Sequence, residues 1–157
     1  MKQVKVGNIL EQTSGIIVHG CNAKGVMGSG LAKQIKSKYP KAFADYKQHL
    51  SRRGPTSPSL GSVIFSNVNN QLIIANAITQ ENYGRDKSVV YVDYGAIEST
   101  FEIISSIAKM VGFHLHYPMI GAGLANGDWN RIDKIIDSVL DSHEIERTLW
   151  TLEQHQS

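Results

Sequence analysis

The sequence predicts an α/β fold, a three-layer α/β/α arrangement around a central mixed sheet. Three observations predict it. Short apolar runs alternate with segments of helical period, two of those runs end in glycine-rich turns, and no internal repeat or low-complexity tract intervenes. With 157 residues, 41% of them hydrophobic, the chain can bury a core of its own, and residues 1–157 are expected to form one domain.

Lys2–Val6 alternates polar and apolar residues, the period of a half-buried strand. Gly15–His19 contains the run Ile16-Ile17-Val18, which suits a strand covered on both faces. A glycine-rich stretch, Gly25–Gly30, leads into a helix over Leu31–Tyr39 that Pro40 closes. Ala42–Leu50 continues helically, and Arg52–Ser62, with Gly54, Pro55, Pro58 and Gly61, reads as a surface loop. Val63–Ser66 and Gln71–Ala77 read as strands around a turn at Asn67–Asn70, and this hairpin makes the sheet mixed. Thr79–Val92 has no period and reads as a long functional loop.

Tyr94–Val111 sets Ile97, Phe101, Ile104 and Ala108 on one helical face, and Gly112 stops it. Phe113–Met119 is a strand that runs into a second glycine-rich loop, Gly121–Gly127. Asn130–Leu140 places Ile132, Ile135, Ile136, Val139 and Leu140 on one face of a strongly amphipathic helix. Arg147–Leu152 closes the fold as a strand, and Glu153–Ser157 is expected to fray.

Composition excludes several function classes. A net charge of +2 is far from the balance of a dedicated nucleic-acid binder. The densest basic cluster, Lys33, Lys36, Lys38 and Lys41, falls on one expected helix and reads as a solvated face. Cys21 is the only cysteine, so neither an intrachain disulfide nor a thiolate metal cage is expected. No His-x-Glu or His-Glu-x-x-His pattern occurs, and no metal site is expected. Without a signal-peptide profile or a membrane-length apolar run, a cytoplasmic location and no membrane partner are the expectation.

The chemistry is concentrated in two segments of like layout, each a buried strand, a glycine-rich turn and an amphipathic helix. The first runs from Ile16 to Gly30 and the second from Tyr117 to Trp129. Glycine allows close backbone approach, and successive amides at a helix start make a cradle for phosphate oxygens. Two cradles suit a ligand with more than one anionic group. Familiar phosphate motifs fail on spacing. Gly30 is followed by Leu31-Ala32 rather than the Lys-Ser/Thr of a P-loop, and Lys33 stands where a dinucleotide fingerprint needs its third glycine. The position six after Cys21, where a cysteine phosphatase has its arginine, holds Met27.

The pairing of Val18-His19-Gly20-Cys21-Asn22 and Gly25-Val26-Met27-Gly28-Ser29-Gly30-Leu31-Ala32 with Ile120-Gly121-Ala122-Gly123-Leu124 and Asp128-Trp129 resembles the macro domain family. It is most similar to the branch that processes ADP-ribose-1″-phosphate. The resemblance runs from Gly7-Asn8-Ile9-Leu10 to Leu149-Trp150-Thr151-Leu152. It implies ADP-ribose or ADP-ribose-1″-phosphate as ligand, an ADP-ribosylated macromolecule as a further partner, and no cofactor.

By that resemblance Asn22 hydrogen-bonds the distal ribose, and Gly28, Ser29 and Gly30 wrap the ribose and its substituent. Ile120, Gly121, Ala122, Gly123 and Leu124 wrap the diphosphate through their amides. Asn8, beside Ile9, stands where relatives carry an adenine-reading acid, and its amide oxygen offers the same acceptor without charge. Trp150 falls where relatives place an aromatic beside adenine, or serves the packing of the last strand. His19 matches a histidine proposed as catalytic, or is a hydrogen-bonded core residue at a strand end. Asp128 either caps the helix that follows or orients a water near the distal ribose. Gln80 stands where a lyase-like branch has its catalytic lysine, and Ala125 where that branch has an aspartate. Gln80, Tyr83 and Arg85 are left to line the pocket. Three functions fit these residues: a metal-independent ADP-ribose-1″-phosphate phosphatase with catalytic His19, Asn22 and Asp128, an ADP-ribosyl hydrolase, and a non-catalytic reader.

Overall fold

The computed structural model of the chain describes residues 1–53 and 59–152. The expected frayed tail, Glu153–Ser157, lies outside the described residues, as does the centre of the expected loop Arg52–Ser62. Among the described residues six strands form one sheet: β1 (Lys2–Val6), β2 (Gly15–Asn22), β3 (Val63–Asn67), β4 (Leu72–Gln80), β5 (Leu115–Tyr117) and β6 (Arg147–Thr151). Their spatial order is β1-β6-β5-β2-β4-β3. Every neighbouring pair is parallel except β3 with β4, so the sheet is mixed, as the expected hairpin required.

Among the described residues four α-helices cover it: α1 (Gly30–Lys38), α2 (Pro40–Arg52), α3 (Tyr94–Val111) and α4 (Trp129–Ser142). Alternation along β2 decides which residue meets which layer. Ile16 and Val18 pack with Ile97, Phe101 and Ile104 of α3 and Ile132 and Ile136 of α4. Ile17 turns the other way, to Ile35 of α1 and Ala42 of α2. The result is a three-layer α/β/α fold. No helix among the described residues is long and apolar enough to cross a membrane.

Pro40 does more than close α1. It begins α2 at its first turn, where a missing N–H costs nothing. The lysine cluster is therefore divided, with Lys33, Lys36 and Lys38 on α1 and Lys41 on α2. Asp93 caps α3 by accepting from the Ala96 amide at 2.8 Å, and Gly112 ends it at φ 71°.

Two strands are longer than their periodicity suggests. β2 extends through Gly20-Cys21-Asn22, and β4 through Ile78-Thr79-Gln80, the two pairing up to Asn22↔Gln80. β5 is shorter than expected, confined to Leu115–Tyr117. The winding fixes where a ligand can sit. From β2 the chain passes over one face through α1 and α2, and from β4 it crosses the other face through α3 to reach β5 on the far side of β2. The connections beyond β2 and β5 thus leave in opposite directions, and a crevice opens at the carboxyl ends of these strands.

Candidate functional site

A cleft of about 600 Å³ occupies that crevice. Its walls come from the end of β2, the first turn of α1, the end of β4 with the loop behind it, and the loop after β5. Gly20 explains how closely these parts approach. A methyl group there would come within 2.9 Å of Thr79 Oγ1 and 3.1 Å of Ile120 Cγ2, so both neighbouring walls press on the β2 end.

The first glycine loop is organised by Asn22. Its Oδ1 accepts from the amides of Lys24 (3.0 Å) and Val26 (3.3 Å), while its Nδ2 donates to the Val26 carbonyl at 2.8 Å. Tyr46, buried on α2, donates to the Asn22 carbonyl at 2.5 Å and accepts from the Gly25 amide at 3.1 Å. This framework delivers Gly28, Ser29 and Gly30 to the cleft wall. Ser29 stands at the N-cap of α1, yet its side chain makes no capping bond. The first helical bond in this turn runs from the Lys33 amide to the Ser29 carbonyl. Among the described residues the amides of Gly30, Leu31 and Ala32 therefore have no backbone partner, and they carry the positive end of the helix dipole.

The second loop is built alike. Gly121 has φ 79°, and the Gly127 amide donates across the loop to the Gly121 carbonyl at 2.7 Å. The Ala122 and Asn126 amides bond to the Met119 and Gly123 carbonyls. Among the described residues this leaves the amides of Gly121, Gly123, Leu124 and Ala125 without a backbone acceptor, and all four residues line the cleft. Gln80, Tyr83, Gly84 and Arg85 form a further wall. Arg85 is the only lysine or arginine in the described lining, and no carboxylate appears there. The arrangement suits an elongated ligand with anionic groups held mainly by backbone dipoles.

The cleft thus gathers Asn22, Gly28, Ser29 and Gly30 with Gln80, Ile120, Gly121, Gly123 and Leu124. Ala122 belongs to the same loop but is not part of the lining. Asn8, Ile9, Trp150 and Asp128 also stand outside it. Asn8 Oδ1 accepts from the Leu10 amide at 2.9 Å and caps a 3₁₀ turn, Ile9–Glu11, that the sequence did not announce. Ile9 is buried beside Ile17 and Ile35, and Trp150 packs against the same cluster. The Trp150 indole donates to His116 Nδ1 at 3.0 Å. Asp128 is exposed and accepts from the Asn130 amide at 3.0 Å, the capping geometry.

His19 contributes to the cleft wall, but the residue is only 1% exposed. The Asn76 amide donates to the carbonyls of Ile64 (3.0 Å) and Ala42 (3.4 Å), which turns its Oδ1 toward His19 Nε2 at 2.6 Å. Nε2 must then carry the proton, and the Cys21 sulfur lies 3.6 Å from Nε2 and 3.7 Å from Nδ1. Burial lowers the imidazole pKa to about 4, with the Asn76 bond opposing. These are the surroundings of a hydrogen-bonded core histidine. Burial likewise pushes the Cys21 thiol far above its usual range, so no thiolate nucleophile forms there.

Thr79, Pro118 and Met119 also line the cleft, residues to which sequence reasoning gave no individual role, only places in the functional loop and the second glycine-rich segment. Thr79 belongs to the end of β4 and not to the loop, which extending the β4 run beyond Ala77 would have shown. Pro118 and Met119 follow a strand that ends earlier than its apolar pattern.

Comparison with known proteins fits this geometry. The family described as Macro domain matches residues 18–136. Over 158 aligned residues the chain is 27% identical to an ADP-ribose 1″-phosphate phosphatase of Saccharomyces cerevisiae, covering 83% of this chain and 88% of that protein. Over 128 residues it is 26% identical to a DNA ADP-ribosyl glycohydrolase of Mycobacterium tuberculosis, covering 82% of this chain. The chain spans only 35% of the length of that mycobacterial relative. A macrodomain protein from Streptomyces coelicolor has a similar structure, with TM-score 0.80 and 26% identity over 99% of this chain and 100% of that one.

Proposed function

The chain belongs to the macro domain family, and from that premise we propose that its cleft binds ADP-ribose and hydrolyses a group attached at the 1″ position, with ADP-ribose-1″-phosphate as substrate. One observation carries the reading: two loops rich in unpaired amides, far apart in sequence, line one cleft. In this reading the Gly121–Ala125 amides hold the diphosphate. The first turn of α1 and the Ser29 hydroxyl receive the distal ribose and its phosphate. Arg85 meets the terminal phosphate from the third wall.

Water attacks phosphorus, the bond from phosphorus to the ribose oxygen breaks, and that oxygen takes up a proton. The protein's contribution is positioning and stabilisation of the equatorial oxygens by fixed dipoles. His19, neutral and bound to Asn76, braces β2 against β4 beneath the site instead of relaying protons. Asn22 shapes the ribose loop and has one further Nδ2 proton to offer a hydroxyl. Asp128 holds the start of α4.

A second reading, hydrolysis of ADP-ribose from a macromolecule, is favoured by the cleft mouth. Tyr83 and Leu124 line the cleft yet remain 54% and 50% exposed, more apolar surface than a small phosphate ester requires. The two readings separate when purified protein is given ADP-ribose-1″-phosphate, ADP-ribosylated protein and ADP-ribosylated DNA without added metal. Phosphate release from the first alone supports the phosphatase, and release of ADP-ribose from either polymer supports the second reading. Calorimetric binding of ADP-ribose with no turnover would make the chain a reader. Absence of binding heat would remove the ligand assignment altogether.

A further inference from the structure

Asn126 stands out in the second glycine loop because it accepts a left-handed backbone, φ 59°, that favours glycine. Both protons of its side-chain nitrogen are employed there. Nδ2 donates to the carbonyl of Val89 at 2.8 Å and to that of Asp86 at 3.0 Å, residues 37 and 40 positions earlier in the chain. Its neighbour Ala125 accepts from the Tyr91 amide at 2.9 Å through its carbonyl. The partner segment is itself folded tightly. Ser88 donates to Asp86 Oδ1 through both its amide (2.9 Å) and its hydroxyl (2.7 Å), and the Val89 amide closes on the Asp86 carbonyl at 3.1 Å. The Tyr91 hydroxyl accepts from the Asp86 amide at 3.2 Å.

The loop after β4, which presents Tyr83 and Arg85 to the cleft, is thereby fastened to the loop that presents the Gly121–Ala125 amides. We infer that Asn126 is a positioning residue that fixes Arg85 relative to the diphosphate amides, so that one ligand is gripped from both walls at once. The inference rests on the reading of the cleft as an ADP-ribose site. Strand pairing does not supply this link. Beyond the isolated bridge Gln80↔Val92, the segment between them has no ladder to hold it. A side chain carrying two donors on one nitrogen can join two carbonyls, here that of Val89 and the second lone pair of the Asp86 carbonyl, which already accepts from the Val89 amide.

Asn126→Gly tests this, because glycine keeps the left-handed backbone and removes the side chain with its two donors. Three measurements are made: calorimetric affinity for ADP-ribose, hydrogen exchange of the Asp86–Tyr91 amides in the free protein, and a double-mutant cycle with Arg85→Ala. The expected result is about tenfold weaker binding, the scale of two lost hydrogen bonds. Faster exchange in that segment, and an Asn126→Gly loss that nearly vanishes when Arg85 is already absent, are expected with it. Wild-type affinity in Asn126→Gly, unchanged exchange, or losses that simply add would each overturn it. Failure of the wild-type protein to bind ADP-ribose would overturn the cleft reading itself, a result read before any variant is made.

Discussion

Two histidines give the molecule a measurable acid response. His19 and His116 are both held near pKa 4 by burial, and His114 beside His116 adds to the second shift. His116 is neutral by geometry as well: it accepts from Trp150 at Nδ1, and its Nε2 lies 3.1 Å from the Ser14 carbonyl. In the unfolded chain both titrate near 6.5, so the unfolded state binds protons that the native state refuses. Stability should therefore be full above about pH 6.5 and fall steadily toward pH 4, with His19 alone costing about 3 kcal/mol across that window. Urea titrations at pH 7.5, 5.5 and 4.5 check this, and a flat midpoint over that range would contradict the burial of both rings. The same placement predicts that activity carries no His19 inflection between pH 5 and 8. Sequence could not choose between the roles of His19, because the choice depends on Asn76, a residue 57 positions away across the β2–β4 ladder.

At the scale of elements, α4 is fastened to the sheet by charge as well as by its apolar stripe. Arg147 on β6 is 2% exposed and donates to Asp137 at 3.0 Å, with Asp141 also at 2.8 Å. Lys2 on β1 meets Asp133 at 2.8 Å and Asp137 at 2.9 Å. Asp137 thus joins β1, β6 and α4. Asp137→Asn should cost about 1–2 kcal/mol, since it weakens the hold on a buried guanidinium that keeps Asp141 as partner. A lower denaturation midpoint at unchanged slope is the expected sign. The apolar stripe of α4 was legible because its period is local. Its acidic partners at 133, 137 and 141 lie one helical turn apart and read equally well as a solvated face. Only the sheet order, which no periodicity reports, places two cations under them. Extensions of β2 and β4 were hidden for a related reason: Gly20, Thr79 and Gln80 look like turn residues until the two strand ends are seen to pair. Both glycine loops were readable, as was their meeting at one cleft, since parallel strands send their following loops to a common edge.

For the whole molecule, a ligand seated in the cleft changes the folding equilibrium by a calculable amount. A ligand present at a hundred times its dissociation constant adds about 2.7 kcal/mol to stability. For a chain of this size ADP-ribose should then raise the melting temperature by roughly 5–10 °C. Adenosine, which lacks the phosphates for the two amide cradles, should shift it far less, and equal shifts would deny the cradles their role. The pairing of β1 with β6 has a different consequence, one that concerns biogenesis. It joins segments 145 residues apart, so β1 must wait for the residues between them to emerge before the neighbour that will cover one of its sides is made. Val4 and Val6 are 62% and 58% exposed even afterwards, an invitation to cross-chain zippering while the nascent ribbon is bare. Lys2 and Lys5 interrupt that ribbon with like charge, a built-in deterrent against sticking to copies of itself on a crowded polysome.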